Sequence, residues 1–318
     1  MAIQSRLARA APVVRRCDAR RVRGDPVTMH IRFLRYSAFY TPLLLTMSGG
    51  HLAKEGLAAT FDVAGPDRPI PAALARGEVQ VAQSAPAVSF APWERGEALP
   101  FRHFALLNSR DGFFLAGRGE GPLDWKSLEG RTAIVDHFFQ PLAMFRRALA
   151  VRGVDATKVT LLDAGDVVAI ERAYREGRGD IVHMQGPTPQ QLAHEGHGRV
   201  FAAVGEAVGP VAFSSLCAAP AWLATDEARA FTRAYREALV HACTAPAAEI
   251  AALVAAFFSE AERAPLEAAI EAYQRLGTWD HDGTLTPELF ERAVDVFVAS
   301  GDITRRPAFA DIAAPLPG

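Results

Sequence analysis

Two ten-residue stretches, 100 positions apart, constrain this chain more than any other feature. Residues 74–83 read Leu-Ala-Arg-Gly-Glu-Val-Gln-Val-Ala-Gln, and residues 174–183 read Tyr-Arg-Glu-Gly-Arg-Gly-Asp-Ile-Val-His. In each, a helical pattern stops at a glycine (Gly77, Gly177). Glycine ends helices readily because it alone enters the left-handed region without steric cost. Three residues later a polar side chain (Gln80, Asp180) opens an apolar run. That run delivers polar groups at its end, Gln83-Ser84 and His183–Gln185, ahead of Pro86 and Pro187. The bland alternative is chance likeness of a helix–glycine–strand unit. The constraining one is a chain built as two similar units, each with its own small sheet.

The surrounding pattern alternates strand and helix. Strands are expected at Ile31–Tyr36, Ala59–Val63, Val79–Gln83, Phe104–Asn108, Thr132–Val135, Val159–Leu162 and Ile181–Met184. Helices are expected at Thr41–Lys54, Ile70–Ala75, Pro141–Gly153 and from Asp166 to about Gly177, with a longer one after Gln83. Leu142, Phe145 and Leu149 share one helical face, and Asp166 is a suitable N-cap. Such alternation argues for βαβ units and parallel sheets. After Ser215 the chain turns helical, with Phe231, Tyr235 and Leu239 forming a stripe in Glu227–His241. Ala247–Phe258, Pro265–Leu276 and Pro287–Ser300 follow. At 318 residues this is two domains or one large α/β unit.

Composition excludes several classes. Half the residues are apolar and 22% are charged, which is incompatible with a disordered or collagenous chain. No apolar run reaches the roughly 18 residues of a membrane span. A net charge of −2 gives no whole-chain basic footprint, so no nucleic-acid partner is expected. Seven arginines crowd the first thirty residues without the apolar core of a secretory signal. Residues 1–28 are therefore read as a disordered tail or an over-long start, with Met29 the alternative first residue, and are set outside the fold. Cys17, Cys217 and Cys243 match no zinc spacing and read as free thiols.

The order of elements resembles the type 2 periplasmic-binding-protein fold. Within it, the chain resembles the sulfonate- and thiamine-pyrimidine-type (NMT1/THI5-like) substrate-binding proteins of ABC transporters. The resemblance spans roughly residues 30–305. It is carried by Ile31-Arg32-Phe33-Leu34-Arg35-Tyr36 with its following helix, the Gly56-Leu57 turn, and Leu74-Ala75-Arg76-Gly77. Leu128-Glu129-Gly130-Arg131-Thr132-Ala133-Ile134-Val135 and Leu276-Gly277-Thr278-Trp279 complete it. No one of these is specific; their order and spacing are. The resemblance implies an α/β, two-lobed architecture, each lobe a small sheet flanked by helices, with a ligand held between lobes by hinge closure. The expected division is residues 29–115 plus 210–318 for lobe one and 116–209 for lobe two. The implied partners are a small flat or anionic organic molecule (a pyrimidine, sulfonate or aromatic acid) and a membrane permease, with the protein a monomer. The implied location is periplasmic, although the visible N-terminus carries no secretory pattern.

Candidate contacts follow from position, since ligands of open α/β sheets bind beyond the carboxyl ends of strands. Tyr36, Phe39 and Tyr40 offer stacking faces and Ser37 a hydroxyl after the first strand, and one or two of the three aromatics are expected to reach the cleft, Tyr36 and Phe39 first, with the rest serving as core. Gln83 and Ser84 close a lobe-one strand, or cap it. His137 and Phe138 lie before a helix whose free N–H groups favour an anion, with Asp136 opposing that unless it caps the helix. In the resembled family this loop faces the ligand. His183 and Gln185 repeat the Gln83-Ser84 position, and Phe213 lies where the chain crosses back between lobes, as hinge first and contact second.

No metal or cofactor is expected. His194 and His197 lack a third ligand, Trp279-Asp280-His281-Asp282-Gly283 reads as a turn, and no GxSxG, Walker A or GxGxxG occurs. The rival reading is an enzyme on the same fold: pyrimidine-precursor synthesis, a decarboxylase or a desulfinase. The synthase's cysteine-rich motif is absent. Ser37-Ala38-Phe39-Tyr40 supplies no thiol after the first strand, so thiolate attack has no candidate. His137 with Asp136 remains a possible acid–base pair. An intracellular ligand sensor is the third reading, without a DNA-binding module to support it.

Overall fold

A computed structural model describes residues 26–119, 121 and 123–318. The basic segment through residue 25, including Cys17, lies outside the described residues. Ten strands occur among those described: β1 Val27–Phe33, β2 Leu57–Val63, β3 Val81–Ser84, β4 Arg102–Asn108, β5 Phe113–Gly117, β6 Thr132–Ile134, β7 Thr160–Leu162, β8 Ile181–Gln185, β9 Arg199–Ala203 and β10 Ser214–Ala218. They form two five-stranded sheets, ordered β2-β1-β3-β10-β4 and β7-β6-β8-β5-β9.

The two orders follow one plan. In each sheet the first three strands are parallel, and the fourth position is held by an antiparallel strand out of sequence. β10 fills it in the first sheet and β5 in the second, so the chain crosses between sheets at residues 109–112 and again at 209–213. The sequence echo maps onto equivalent places. Gly77 and Gly177 both take positive φ, at 70° and 79°, and lead into β3 and β8. Gln80 accepts the His30 N–H on β1 at 2.7 Å, and Asp180 accepts the Thr132 N–H on β6 at 2.9 Å. Each echoed polar residue thus ties its strand to the neighbouring parallel one, Gln80 at the middle of β1 and Asp180 at the start of β6.

Several boundaries differ from the sequence-based expectation. β1 begins two residues before Met29, with Val27 and Thr28 in register with Leu57 and Ala58, so the excluded segment ends too late. It also stops at Phe33, not Tyr36. The expected helix Thr41–Lys54 breaks at Gly49-Gly50, where Gly50 has φ 78°. The longer helix after Gln83 is two short turns, Pro86–Ser89 and Phe90–Glu94, in a stretch interrupted by proline. The helix from Ala247 ends at Val254, so Phe257 and Phe258 are not part of it.

Burial explains the layering. On β1, Ile31 and Phe33 are inaccessible to solvent. Arg32 is buried too, because it lies in register with Asp62 on β2 and makes a bidentate pair at 2.7 and 2.8 Å. Such a fork satisfies charges that would otherwise be costly to bury. Helices Thr41–Ser48 and Asp226–Thr244 pack together beside the first sheet, and helices Val167–Arg175 and Thr188–His194 cover the second. The last helices join the two halves. Arg263–Leu276 lies against Thr188–His194, and Phe297 of Pro287–Ala299 stacks on Phe139 at 4.6 Å between centroids.

Candidate ligand-binding cleft

A cavity of about 410 Å³ lies between the sheets, within the range of small-molecule sites. The first sheet contributes Arg35, Tyr36 and Ser37 from the segment after β1. The second contributes Phe113, Asp136, the His183–Thr188 run at the end of β8, and one side of the Val167–Arg175 helix. Residues Phe257–Ala261 form a third wall.

Local chemistry holds the first wall in place. The Gln83 Oε1 accepts the N–H groups of both Leu34 and Arg35, at 3.1 and 3.2 Å. The Ser37 hydroxyl donates to the Gly186 carbonyl at 3.0 Å, and the Ala38 N–H donates to the same oxygen. The Gly186 N–H in turn donates to the Tyr273 hydroxyl, which donates to the Gly112 carbonyl. At the cleft itself, the Arg35 guanidinium pairs with Asp136 of the opposite sheet. It also lies over the rings of Phe113 and Phe138 at 5.8 and 5.6 Å.

His183 is the most constrained polar group on the cavity wall. It is fully buried and stacked on Phe113 at 4.3 Å, with an 18° interplanar angle. Burial, reinforced by the positive charge of Arg35, drives its pKa down to about 3, so the ring is neutral. Among the described residues neither ring nitrogen has a hydrogen-bond partner, and the same is true of the Gln185 Oε1 and the Tyr36 hydroxyl. A buried polar group left unpaired costs about 1–3 kcal/mol. Four such atoms on residues of one cavity mark a place where a ligand can be read by hydrogen bonds.

The structure brings together only part of the set expected from sequence. Tyr36, Ser37, His183 and Gln185 line the cavity. Gln83 acts one step back, by fixing the segment that carries Arg35. Ser84 is buried between strands opposite Ser215. Phe39 and Phe213 are core, in an edge contact with each other at 5.5 Å. His137 lies outside the cavity wall with its Nδ1 2.8 Å from the Val135 carbonyl oxygen, and Phe138 is half exposed under Arg35. Asp136 does not cap the following helix, whose N-cap is Phe138. It accepts the Phe138 N–H and pairs with Arg35.

Sequence reasoning missed Arg35, Glu171, Arg175, Phe257 and Phe258. The last two carried a signal. Adjacent residues on a helix point about 100° apart, so two neighbouring phenylalanines followed by Ser259-Glu260 fit poorly on a single core-facing stripe.

Two sheets of this order, with a walled cavity at the strand ends between them, define the type 2 periplasmic-binding-protein architecture. The NMT1/THI5-like family model matches residues 38–249, and the chain belongs to that family. It is 25% identical over 276 residues to "Putative binding protein YtlA" of Bacillus subtilis (strain 168), covering 85% of this chain and 82% of that protein. Among solved structures, it resembles the ligand-binding component of an ABC-type import system from Staphylococcus aureus, described with zinc bound. The TM-score is 0.70 at 13% identity, over 91% of this chain and 97% of that one. It also resembles the alkanesulfonate-binding protein SsuA of Xanthomonas axonopodis pv. citri bound to MOPS. There the TM-score is 0.69 at 14% identity, over 92% and 99% of the two chains.

Proposed function

We propose that this chain is the substrate-binding component of an ABC-type importer. It holds one small, flat organic molecule between two lobes and delivers it to a membrane permease, and it works outside the cytoplasm. Lobe one carries the β2-β1-β3-β10-β4 sheet and lobe two the β7-β6-β8-β5-β9 sheet, with the crossings at 109–112 and 209–213 as hinges. The observation that carries this reading is the neutral His183, buried on the cavity wall with both ring nitrogens unpaired. Family membership and the import-component neighbours support it. Tyr36, Ser37, His183 and Gln185 form the ligand set, with Phe113, Phe257 and Phe258 as apolar walls.

The test is a screen of planar pyrimidines, sulfonates, aromatic carboxylates and amines by thermal shift, with mass spectrometry of the bound fraction. One compound is expected to raise the melting temperature and to be recovered unchanged. At a hundredfold excess over Kd the stabilisation is about 2.7 kcal/mol. Chemical conversion of the compound would instead favour an enzyme on this fold, and a wholly silent library would count against capture.

A further inference from the structure

We propose that the cavity selects a planar organic cation, such as an amidinium or guanidinium, and rejects oxyanions of the same shape. This rests on the binding-protein reading and narrows its substrate class.

The first observation is charge. The wall carries four carboxylates, Asp136, Glu171, Glu195 and Glu260, against two guanidiniums, Arg35 and Arg175. Both guanidiniums are already engaged. Arg35 pairs with Asp136, while Arg175 donates to Glu171 at 2.8 Å and pairs with Glu195. A sulfonate or carboxylate could gain a cationic partner only by breaking one of these pairs, and would still face an acidic remainder. The Val167–Arg175 helix, whose first residues line the cavity, has its N-terminus covered by the Asp166 carboxylate, which accepts the Ala169 N–H at 2.9 Å.

The second observation is independent of charge count. The Gln185 Oε1 is an unpartnered acceptor on a side chain that is nine-tenths buried, and neutral His183 offers one acceptor nitrogen beside its one N–H donor. Acceptors of this kind are completed by ligand N–H groups. The third is the aromatic wall. Tyr36 lies 5.5 Å from Phe258 and 6.2 Å from Phe257, and ring faces in such a cluster attract cations.

Benzamidine, benzamide, benzoate and benzenesulfonate test the idea, because they share a ring and differ in the charge of one planar or tetrahedral substituent. Calorimetry with the full chain is expected to show benzamidine binding about tenfold or more tightly than benzamide, with no heat from the two anions. Benzamidine affinity is expected to fall as salt rises, and to drop severalfold in Glu171→Gln/Glu195→Gln, whose wall retains its shape. Gln185→Met removes the buried acceptor and is expected to weaken benzamidine about tenfold. Tighter binding of benzoate or benzenesulfonate, lost in Gln185→Met, would overturn the charge preference and leave the binding-protein reading standing. Benzamidine binding unaffected by either variant would place it elsewhere and overturn the proposal. Silence from all four probes would overturn it too, and with a silent library screen it would bring down the broader reading.

Discussion

Arg35, just beyond β1, and Asp136, just beyond β6, form an ion pair that ties one sheet to the other across the cleft. The partners are unequally buried: the Asp136 side chain is 5% exposed and that of Arg35 is 21% exposed. Removing the arginine therefore strands the deeper charge. Arg35→Ala is expected to cost about 2–3 kcal/mol and Asp136→Ala less. The double variant should recover part of the loss, since a buried charge without its partner costs more than no pair at all. Urea denaturation of the four proteins in a double-mutant cycle measures this. Equal costs for the two single variants, with full additivity, would show that the pair contributes nothing.

Gly112 lies in the first crossing segment, directly under a phenyl ring. A Cβ at this position would sit 2.2 Å from Phe39 Cδ2 and 2.3 Å from Cε2. Phe39 is fully buried between Tyr40, Phe213 and Tyr273, so its ring has nowhere to go. Gly112→Ala is expected to destabilise the protein by about 1–3 kcal/mol through overpacking. A lowered urea midpoint with an unchanged m value is the signature. An unchanged midpoint would mean that the crossing adjusts freely.

The repeated architecture was legible because its signals are local. The Gly77 and Gly177 stops, the runs Val81–Ser84 and Ile181–Gln185, and the polar openings at Gln80 and Asp180 each sit within a few residues of chain. Of the residues expected at the site, Tyr36, Ser37, His183 and Gln185 line the cavity, and each lies at or within a few residues of a strand end. The charge pairs that shape the cavity were not readable. Arg35 and Asp136 are 101 residues apart, and Arg175 and Glu195 are joined only because a helix and the turn after another helix converge. Chain position puts Phe39 beside the ligand and Phe213 at the hinge first, as a contact second. Their rings instead pack edge to face in the core, a choice set by three-dimensional neighbours that periodicity does not encode.

Three buried imidazoles predict acid sensitivity. Burial lowers His103 and His183 to about 3 and His281 to about 4. In the unfolded chain each titrates near 6.5. Between these values the unfolded state binds protons that the folded state refuses, so stability falls as pH drops below about 6.5. Each group contributes up to about 1.4 kcal/mol per pH unit. His103 bridges the hydroxyls of Ser89 and Ser215 at 2.9 and 2.7 Å, so His103→Gln keeps a polar group there while removing the titration. The variant is expected to be less stable at pH 8 but to lose stability less steeply towards pH 5. An identical slope, from urea titrations at several pH values, would show that His103 is not neutral in the folded protein.

Asp111 works in the opposite direction. Burial, opposed by the Phe113 N–H and reinforced by the Asp136 charge, raises its pKa to about 8. One carboxyl oxygen accepts the Phe113 N–H at 2.6 Å and the other has no partner among the described residues. In the unfolded chain the group ionises near 3.9. From there up to about pH 8 the folded state holds a proton that the unfolded state has released, so this residue costs stability as pH rises. Asp111→Asn preserves the oxygen that accepts from Phe113 and cannot ionise. It is expected to gain on the order of 1–3 kcal/mol at pH 7.5 and almost nothing at pH 4. The comparison is sharp because geometry is held nearly constant while only the proton is removed from the equation. A variant less stable than the parent at pH 7.5, or equally shifted at both pH values, would mean that the carboxylate is ionised in the fold and held by a charge across the crossing segment.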